Sequence, residues 1–167
     1  MRVELRPYDP AWPLRFERER ARLAAALGAR ARSIEHFGST SVPGLAAKPI
    51  LDVLVARVPG ALYEEWVTLL APLGLTWTRR DSTDQGEGQW YFRDVADTMH
   101  VHVYEADTRA HRRHLAFRDA LRADATLREE YAALKRDLAT KEWGVVQDYA
   151  DAKTAFVRRV EKEWMRE

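Results

Sequence analysis

The segment that most limits the fold of this 167-residue chain is residues 34–55, which read IEHFGSTSVPGLAAKPILDVLV. A short apolar run ends at Gly38-Ser39, small turn-forming residues follow to Gly44, and a second apolar run carries one carboxylate, Asp52. The pattern predicts a strand, a tight turn, a short helix and a second strand. Backbone N–H groups at such a turn attract phosphate, and a nearby carboxylate can hold Mg²⁺. The segment therefore predicts a site for a nucleoside triphosphate and a divalent metal.

The composition favours a soluble globular protein. Hydrophobic residues make up 46% and charged residues 32%, and the length predicts one domain over residues 1–167. Lys and Arg number 27 against 26 Asp and Glu, so the net charge of +1 does not favour nucleic acid as a partner. The absence of cysteine excludes disulfides, thiolate nucleophiles and Cys-bound zinc. Without a signal-peptide core or an apolar run of about 18 residues, the expected location is cytoplasmic, with no membrane partner.

Hydrophobic spacing predicts an α+β fold in which a small mixed sheet is flanked by helices and the C-terminal third is helical. Most aromatic residues fall at core spacings and are predicted to pack. The predicted strands are residues 33–37, 49–56, 75–80, 89–95 and 99–105, and a polar loop is predicted at 81–88. The predicted helices are residues 9–29 and 62–73 and the chain from 108 onward, with a break near Trp143-Gly144.

The hydroxyl-rich turn has two interpretations. Ser or Thr can cap a short helix, or the hydroxyls can contact phosphate oxygens, which makes Gly38, Ser39, Thr40 and Ser41 candidate phosphate-binding residues. A carboxylate inside an apolar strand needs a partner, because a buried unpaired charge costs several kcal/mol. Lys48 could be a structural partner of Asp52, or it could neutralise a phosphate.

The predicted strand at residues 99–105 carries two histidines on one face. His100 and His102 are two residues apart, about 7 Å along the strand, and their neighbours on the other face are apolar. They could share a metal, one could be a ligand or proton donor while the other packs, or both could face solvent without a role. His36 could join them. No HExxH, Ser-His-Asp or Walker pattern is present.

The helical third carries further basic candidates. His111, His114 and Arg118 share a helical face, which predicts either an anion site or a solvated basic surface. Lys135 and Lys153 lie among apolar helical positions, so each could point inward or extend its ammonium to solvent along an apolar surface.

The stretch HFGSTSVPGLAAKPILDV at residues 36–53 resembles the signature of the GrpB family, which also occurs as an appended domain on some dephospho-CoA kinases. The likeness continues at residues 99–103, 114–119 with 121–122, 131–135, 148–149 and 153–156. The family is grouped with the nucleotidyltransferase superfamily. The resemblance implies a polymerase beta-type core, a Gly-Ser turn that cradles nucleotide phosphates, and metal ligands on neighbouring strands.

One position departs from the superfamily pattern, which has two carboxylates at i and i+2 on the strand after the turn. This chain has Asp52 but Leu54, and it offers His100 or His102 where a third carboxylate is expected. Two-metal phosphoryl transfer uses several anionic oxygens that hold metals about 4 Å apart. One carboxylate with imidazoles suits Zn²⁺ or Mn²⁺ better than Mg²⁺.

The resemblance and the residues together imply a divergent nucleotidyltransferase that binds a nucleoside triphosphate with a divalent metal (Mg, Mn or Zn) and transfers a nucleotidyl group to an unknown acceptor. The alternatives are a non-catalytic nucleotide- or metal-binding module that kept the fold, and a metal hydrolase or metal-binding protein. The predicted roles are catalytic for Asp52 and His102, metal-binding for Asp52, His100 and His102, and nucleotide-binding for Gly38, Ser39, Thr40, Ser41, Lys48, Arg118, Lys135 and Lys153.

Overall fold

A computed structural model describes residues 2–78 and 88–165. The strands are β1 (Ala31–Phe37), β2 (Leu51–Arg57), β3 (Leu75–Trp77), β4 (Trp90–Asp94) and β5 (Met99–Glu105). The helices are α1 (Ala11–Leu27), α2 (Tyr63–Leu70), α3 (Arg109–Ala123), α4 (Ala125–Ala139), α5 (Val146–Asp151) and α6 (Thr154–Trp164). Within these ranges, no helix has both the length and the apolar character that crossing a membrane requires.

The five strands form one mixed sheet in the order β1-β2-β5-β4-β3. Only the central pair, β2 and β5, is parallel, and the other neighbours are antiparallel. Asp52 pairs with Phe37 on one side and with His100 on the other, and Leu54 pairs with His102. Because side chains alternate along a strand, these five residues project from the same face of the sheet.

The two faces of the sheet are covered by different helices. Helices α1 and α2 pack on the face formed by Val53, Val55, Val101 and Val103, all of which are buried. The opposite face carries Asp52 and the histidines, and α3 covers part of it. There Phe37, Leu54, Tyr104 and Ala110 form a small apolar cluster.

The chain that follows the Gly-Ser turn is anchored among the C-terminal helices. Val42 and Leu45 are fully buried against residues of α3, α4 and α6, among them Leu121, Leu127 and Val160. This packing holds the turn at the end of β1, beside the first residues of β2.

The sequence correctly predicted the α+β class, the mixed sheet and the helical C-terminal part. The short helix after the Gly-Ser turn was a wrong prediction, because the structure has only a 3₁₀ turn at Ser39–Ser41. The chain becomes extended at Val42, and Gly44 has a φ of 80°, so helical geometry cannot continue. Residues 81–87 of the predicted loop, and the last two residues of the predicted strand 75–80, lie outside the described residues.

Candidate functional site

The structure brings one carboxylate and two imidazoles together on the sheet face that α3 partly covers. Asp52 Oδ1 lies 3.7 Å from His100 Nδ1 and 3.5 Å from His102 Nε2. One ligand atom from each of the three residues lies within 4.8 Å of the others. The parallel pairing of β2 with β5 causes this juxtaposition, because it places the first residues of β2 beside the first residues of β5.

Each imidazole is held by a second side chain at the ring nitrogen that faces away from Asp52. His100 Nε2 lies 2.8 Å from Asp97 Oδ1, and His102 Nδ1 lies 2.8 Å from the side-chain amide of Gln89. A 180° rotation of the Gln89 side-chain amide exchanges its oxygen, which accepts a hydrogen bond, for its nitrogen, which donates one. Gln89 can therefore hold either tautomer of His102. Metal-binding histidines in proteins are fixed by such outer hydrogen bonds.

The electrostatics of the triad favour an ionised carboxylate. Burial alone would raise the pKa of Asp52, but hydrogen bonding and charge from His100 and His102 outweigh it and hold the pKa well below its usual range. Burial likewise lowers the pKa of His100, yet Asp52 and Asp97 together raise it above its usual value. The site therefore presents a fixed negative charge beside two imidazoles.

The spacing and exposure of the triad fit a single divalent ion. Oxygen and nitrogen ligands at 2.0–2.2 Å from a tetrahedral ion are separated by about 3.4 Å, close to the two Asp52–histidine distances. The Asp52 side chain is 30% exposed and that of His100 is 16% exposed, so solvent reaches the site. The donor set of one carboxylate and two imidazoles suits Zn²⁺ or Mn²⁺ better than Mg²⁺.

Gly38 lies directly against Asp52. Its φ of 72° and ψ of −179° belong to a region that essentially only glycine adopts. A Cβ added to Gly38 would lie 2.8 Å from Asp52 Cβ and 2.9 Å from Asp52 Cγ. The absence of a side chain therefore lets the turn close over the carboxylate.

A cluster of two lysines and two tyrosines lies next to the turn. The side chains of Tyr131 and Ser39 lie close enough to interact, and burial raises the pKa of the Tyr131 hydroxyl. Lys135 is 2% exposed, donates to the carbonyl oxygen of Ala46, and has its Nζ 5.1 Å from the ring centre of Tyr131. Burial, and then the charge of Lys153, lowers the pKa of Lys135 to about 7.

Lys153 completes this cluster. Its Nζ lies 4.2 Å from the ring centre of Tyr149, whose hydroxyl is buried and makes no hydrogen bond within the described part of the chain. In addition to burial, Lys153 lowers the pKa of Lys135, and Tyr149 raises that of Tyr131. The four side chains are therefore close enough to act on one another electrostatically. Because the charge of Lys153 disfavours a positive charge on Lys135, an anion bound beside the two lysines would stabilise the charged form of Lys135.

Two hydroxyls of the turn are engaged within the protein. Thr40 Oγ1 donates to the carbonyl oxygen of Ile50 and lies 2.9 Å from His36 Nε2, and Ser41 Oγ donates to the carbonyl oxygen of Gly38. No capping bond from a side chain is present at this turn. Phosphate contacts from Thr40 and Ser41 stay a prediction, and Ser39 is linked to the lysine cluster through Tyr131.

The remaining basic candidates are dispersed. Lys48 forms no ion pair with Asp52, so the structural pairing considered for them is wrong: the two histidines are the ion-pair partners of Asp52 within the described ranges. Arg118 pairs with Glu35 and Asp119, which balance its charge. Nucleotide binding by Lys48 or Arg118 stays a prediction.

The other histidines do not join the triad. His36 projects from the opposite face, where it stacks on Phe16 and burial lowers its pKa to about 4. His114 Nε2 lies 3.0 Å from the hydroxyl of Tyr104, and His111 is buried at the start of α3.

Sequence reasoning did not identify four residues of the site: Asp97, Gln89, Tyr131 and Tyr149. Asp97 lies three residues before His100, a local spacing that could have been noticed. Tyr131 precedes Lys135 by one helical turn, so the two share a face of α4, but its spacing also fitted a core position. Gln89 begins the predicted strand that forms a hairpin with residues 99–105, and β4 does pair with β5, but the hairpin pattern alone did not show that the Gln89 side chain contacts His102.

Together these features define a class: an α+β protein with a carboxylate–histidine site beneath a glycine–serine turn. Residues 2–163 match the family model described as GrpB protein, and the chain belongs to that family. The fold is similar to the crystal structure of conserved protein GrpB from Enterococcus faecalis, with a TM-score of 0.80, 36% identity and 96% of each chain covered. The resemblance predicted from the motif is thus confirmed.

Curated relatives agree with this assignment. A UPF0157 protein of Halalkalibacterium halodurans is 41% identical over 96% of this chain and 81% of its own length. The glutamate-rich protein GrpB of Alkalihalophilus pseudofirmus is 31% identical over 96% of this chain and 95% of its own. A dephospho-CoA kinase of Mycolicibacterium paratuberculosis is 29% identical over 93% of this chain but only 44% of its own length.

Proposed function

We propose that this protein binds a nucleoside triphosphate together with a divalent metal and transfers its nucleotidyl group to an acceptor, on a divergent nucleotidyltransferase-type core. The proposal depends on one observation: Gly38 lies directly against Asp52, and Asp52 forms a triad with His100 and His102. A phosphate on the turn and a metal on the triad would then be neighbours.

Phosphate recognition falls to the turn and the lysine cluster. Ser39 is linked through Tyr131 to Lys135, and Lys153 lies beside Lys135. A polyphosphate placed there would offset the mutual repulsion of the two lysines and the cost of burying Lys135. Binding would therefore raise the pKa of Lys135, and nucleotide binding near pH 8 should be accompanied by proton uptake.

Asp52, His100 and His102 would hold the metal, which when bound supplies charge neutralisation at the reacting phosphate oxygens. His102 serves either as a ligand or as the group that accepts the acceptor's proton, because a metal-bound nitrogen has no lone pair for a proton. Asp97 and Gln89 orient the two rings in either case. In the transfer itself, an oxygen or nitrogen of the acceptor would bond to the α-phosphorus, its proton would pass to His102 or to water, and the bond to pyrophosphate would break.

A non-catalytic nucleotide-binding module is the second candidate. Leu54 occupies the position of the superfamily's second carboxylate, and it is fully buried against Phe37 and Tyr104. One carboxylate supports one metal more readily than two. The appearance of a homologous region in proteins named dephospho-CoA kinase is also consistent with an accessory role beside a nucleotide-using enzyme.

Calorimetry with ATP tests metal-dependent nucleotide binding, which both candidate functions require. We expect ATP to bind in the presence of Mn²⁺ and to bind at least tenfold more weakly in EDTA. Asp52→Asn should abolish the metal dependence, and Lys153→Met should weaken ATP binding at every metal concentration. Asp151→Asn, on the exposed surface of α5, is the matched control for a lost carboxylate. Equal affinity with and without metal, or no binding, would reject the proposal.

Pyrophosphate release separates the two candidates. The wild type is incubated with nucleoside triphosphates, Mn²⁺ and a mixture of hydroxyl- and amine-bearing acceptors. Pyrophosphate release by the wild type that is lost in Asp52→Asn would support the nucleotidyl-transfer candidate. Metal-dependent binding without release in any mixture supports the module.

A further inference from the structure

A pocket of about 340 Å³ lies on the side of the Gly-Ser turn away from the metal triad. Tyr8, Pro13 and Pro43 form its apolar walls, and His36 and Ser41 line it from the turn side. His36 projects from the sheet face opposite to Asp52, because its neighbour Phe37 is the residue that pairs with Asp52. The pocket is therefore a separate space from the candidate metal site.

Two arginines from the junction of α3 and α4 also line this pocket. Arg122 Nε donates to the carbonyl oxygen of Ser41, and Arg128 Nη1 donates to the carbonyl oxygens of Leu121 and Arg122. Each guanidinium is thus held in place by one edge. Its remaining N–H groups make no hydrogen bond to the described residues.

Neither guanidinium has a carboxylate partner among residues 2–78 and 88–165. The acidic groups that act on Arg122 through space include Asp119 and Glu35, and both of these already pair with Arg118. Two anchored arginines without a counter-ion, facing one concave space, form a recognition site for an oxyanion, because their planar N–H forks match carboxylate and phosphate oxygens.

We propose that this pocket is a second ligand site, which binds a small molecule through a carboxylate or phosphate held by Arg122 and Arg128, with its apolar part against Tyr8, Pro13 and Pro43. The volume lies at the lower end of the range for small-molecule sites, which suits a metabolite-sized anion rather than a peptide or nucleic acid. The inference is independent of nucleotide binding at the triad.

Solution NMR of the ¹⁵N-labelled full chain tests the proposal through the arginine Nε–Hε signals. Sodium phosphate and sodium acetate are titrated separately at constant ionic strength, and Arg122→Lys assigns the Arg122 signal. We expect at least one of the two ions to shift the Arg122 and Arg128 signals saturably. The ion with the higher affinity identifies the anionic group as phosphate or carboxylate.

Variants establish where the ion binds. Arg122→Gln should weaken the ion's effect on the Arg128 signal by about tenfold, whereas Arg158→Gln, on the exposed surface of α6, should change it less than twofold. Lys153→Met, in the lysine cluster, should also leave it unchanged. Linear shifts that do not saturate, no shift with either ion, or equal losses in Arg122→Gln and Arg158→Gln would each overturn the proposal. So would loss of the effect in Lys153→Met alone.

Discussion

Gly38 is the residue whose missing side chain shapes the site most directly. Gly38→Ala should lower the free energy of unfolding by about 2–4 kcal/mol, because it combines backbone strain with a clash against Asp52. Gly44→Ala is the matched control: it has a φ of 80°, but nothing lies within 4 Å of an added Cβ, so its loss should be about 1 kcal/mol. Chemical denaturation measures both, and equal losses would contradict the close packing of Gly38 on Asp52.

Lys135 gives the protein a distinctive pH dependence. Its pKa is about 7 in the folded state, through burial first and the charge of Lys153 second, against 10.5 for an exposed lysine. Between these values the unfolded chain binds more protons, so stability rises with pH from about 7 to 10.5, by at most about 1.4 kcal/mol per pH unit. Below pH 7 the contribution is constant.

Lys135→Met should remove this rise. Denaturation at pH 7.5, 8.5 and 9.5 would compare how steeply the free energy of unfolding rises with pH in the two proteins. Lys141→Met, at an exposed position just after α4, controls for loss of a lysine. A wild-type slope that equals that of Lys135→Met would show that Lys135 titrates as an ordinary surface lysine.

At the scale of elements, the pairing of β2 with β5 explains how Asp52 comes to lie beside His100. Leu54 shares a face with Asp52 but is fully buried in the apolar cluster that α3 covers. Leu54→Asp should therefore cost about 3–5 kcal/mol of stability and should not add a metal ligand, because it buries an unpaired charge. Leu54→Met should cost less than about 1.5 kcal/mol. A Leu54→Asp protein that folds stably and binds a second metal would contradict this account.

The elements also show what the sequence could and could not predict. Alternation along β5 predicted that His100 and His102 share a face, since this depends only on local periodicity. The register that sets Asp52 beside His100 depends on pairing between residues that are 48 positions apart in the sequence, which local patterns do not encode. The 3₁₀ turn replaced a predicted helix because the chain becomes extended at Val42 and Gly44 has a φ of 80°. The Pro43-Gly44 pair is a local signal for this turn, whereas the packing of Val42 and Leu45 among α3, α4 and α6 is not encoded locally.

At the scale of the molecule, the sheet separates two chemically different regions. One face holds a carboxylate and two imidazoles, with the lysine cluster beside the turn, and the arginine-lined pocket opens toward α1. The net charge of +1 leaves recognition to these local groups. Helix α4 contributes to both regions, because Arg128 lines the arginine pocket and Lys135 belongs to the lysine cluster.

A crystal structure of the protein with Mn²⁺ and a non-hydrolysable ATP analogue tests the central claim most directly. Anomalous scattering should place one Mn²⁺ in contact with Asp52 and at least one of His100 and His102, with the triphosphate along Ser39 and the ammonium groups of Lys135 and Lys153. A metal bound away from Asp52, or a triphosphate that contacts neither the turn nor these lysines, would contradict the account.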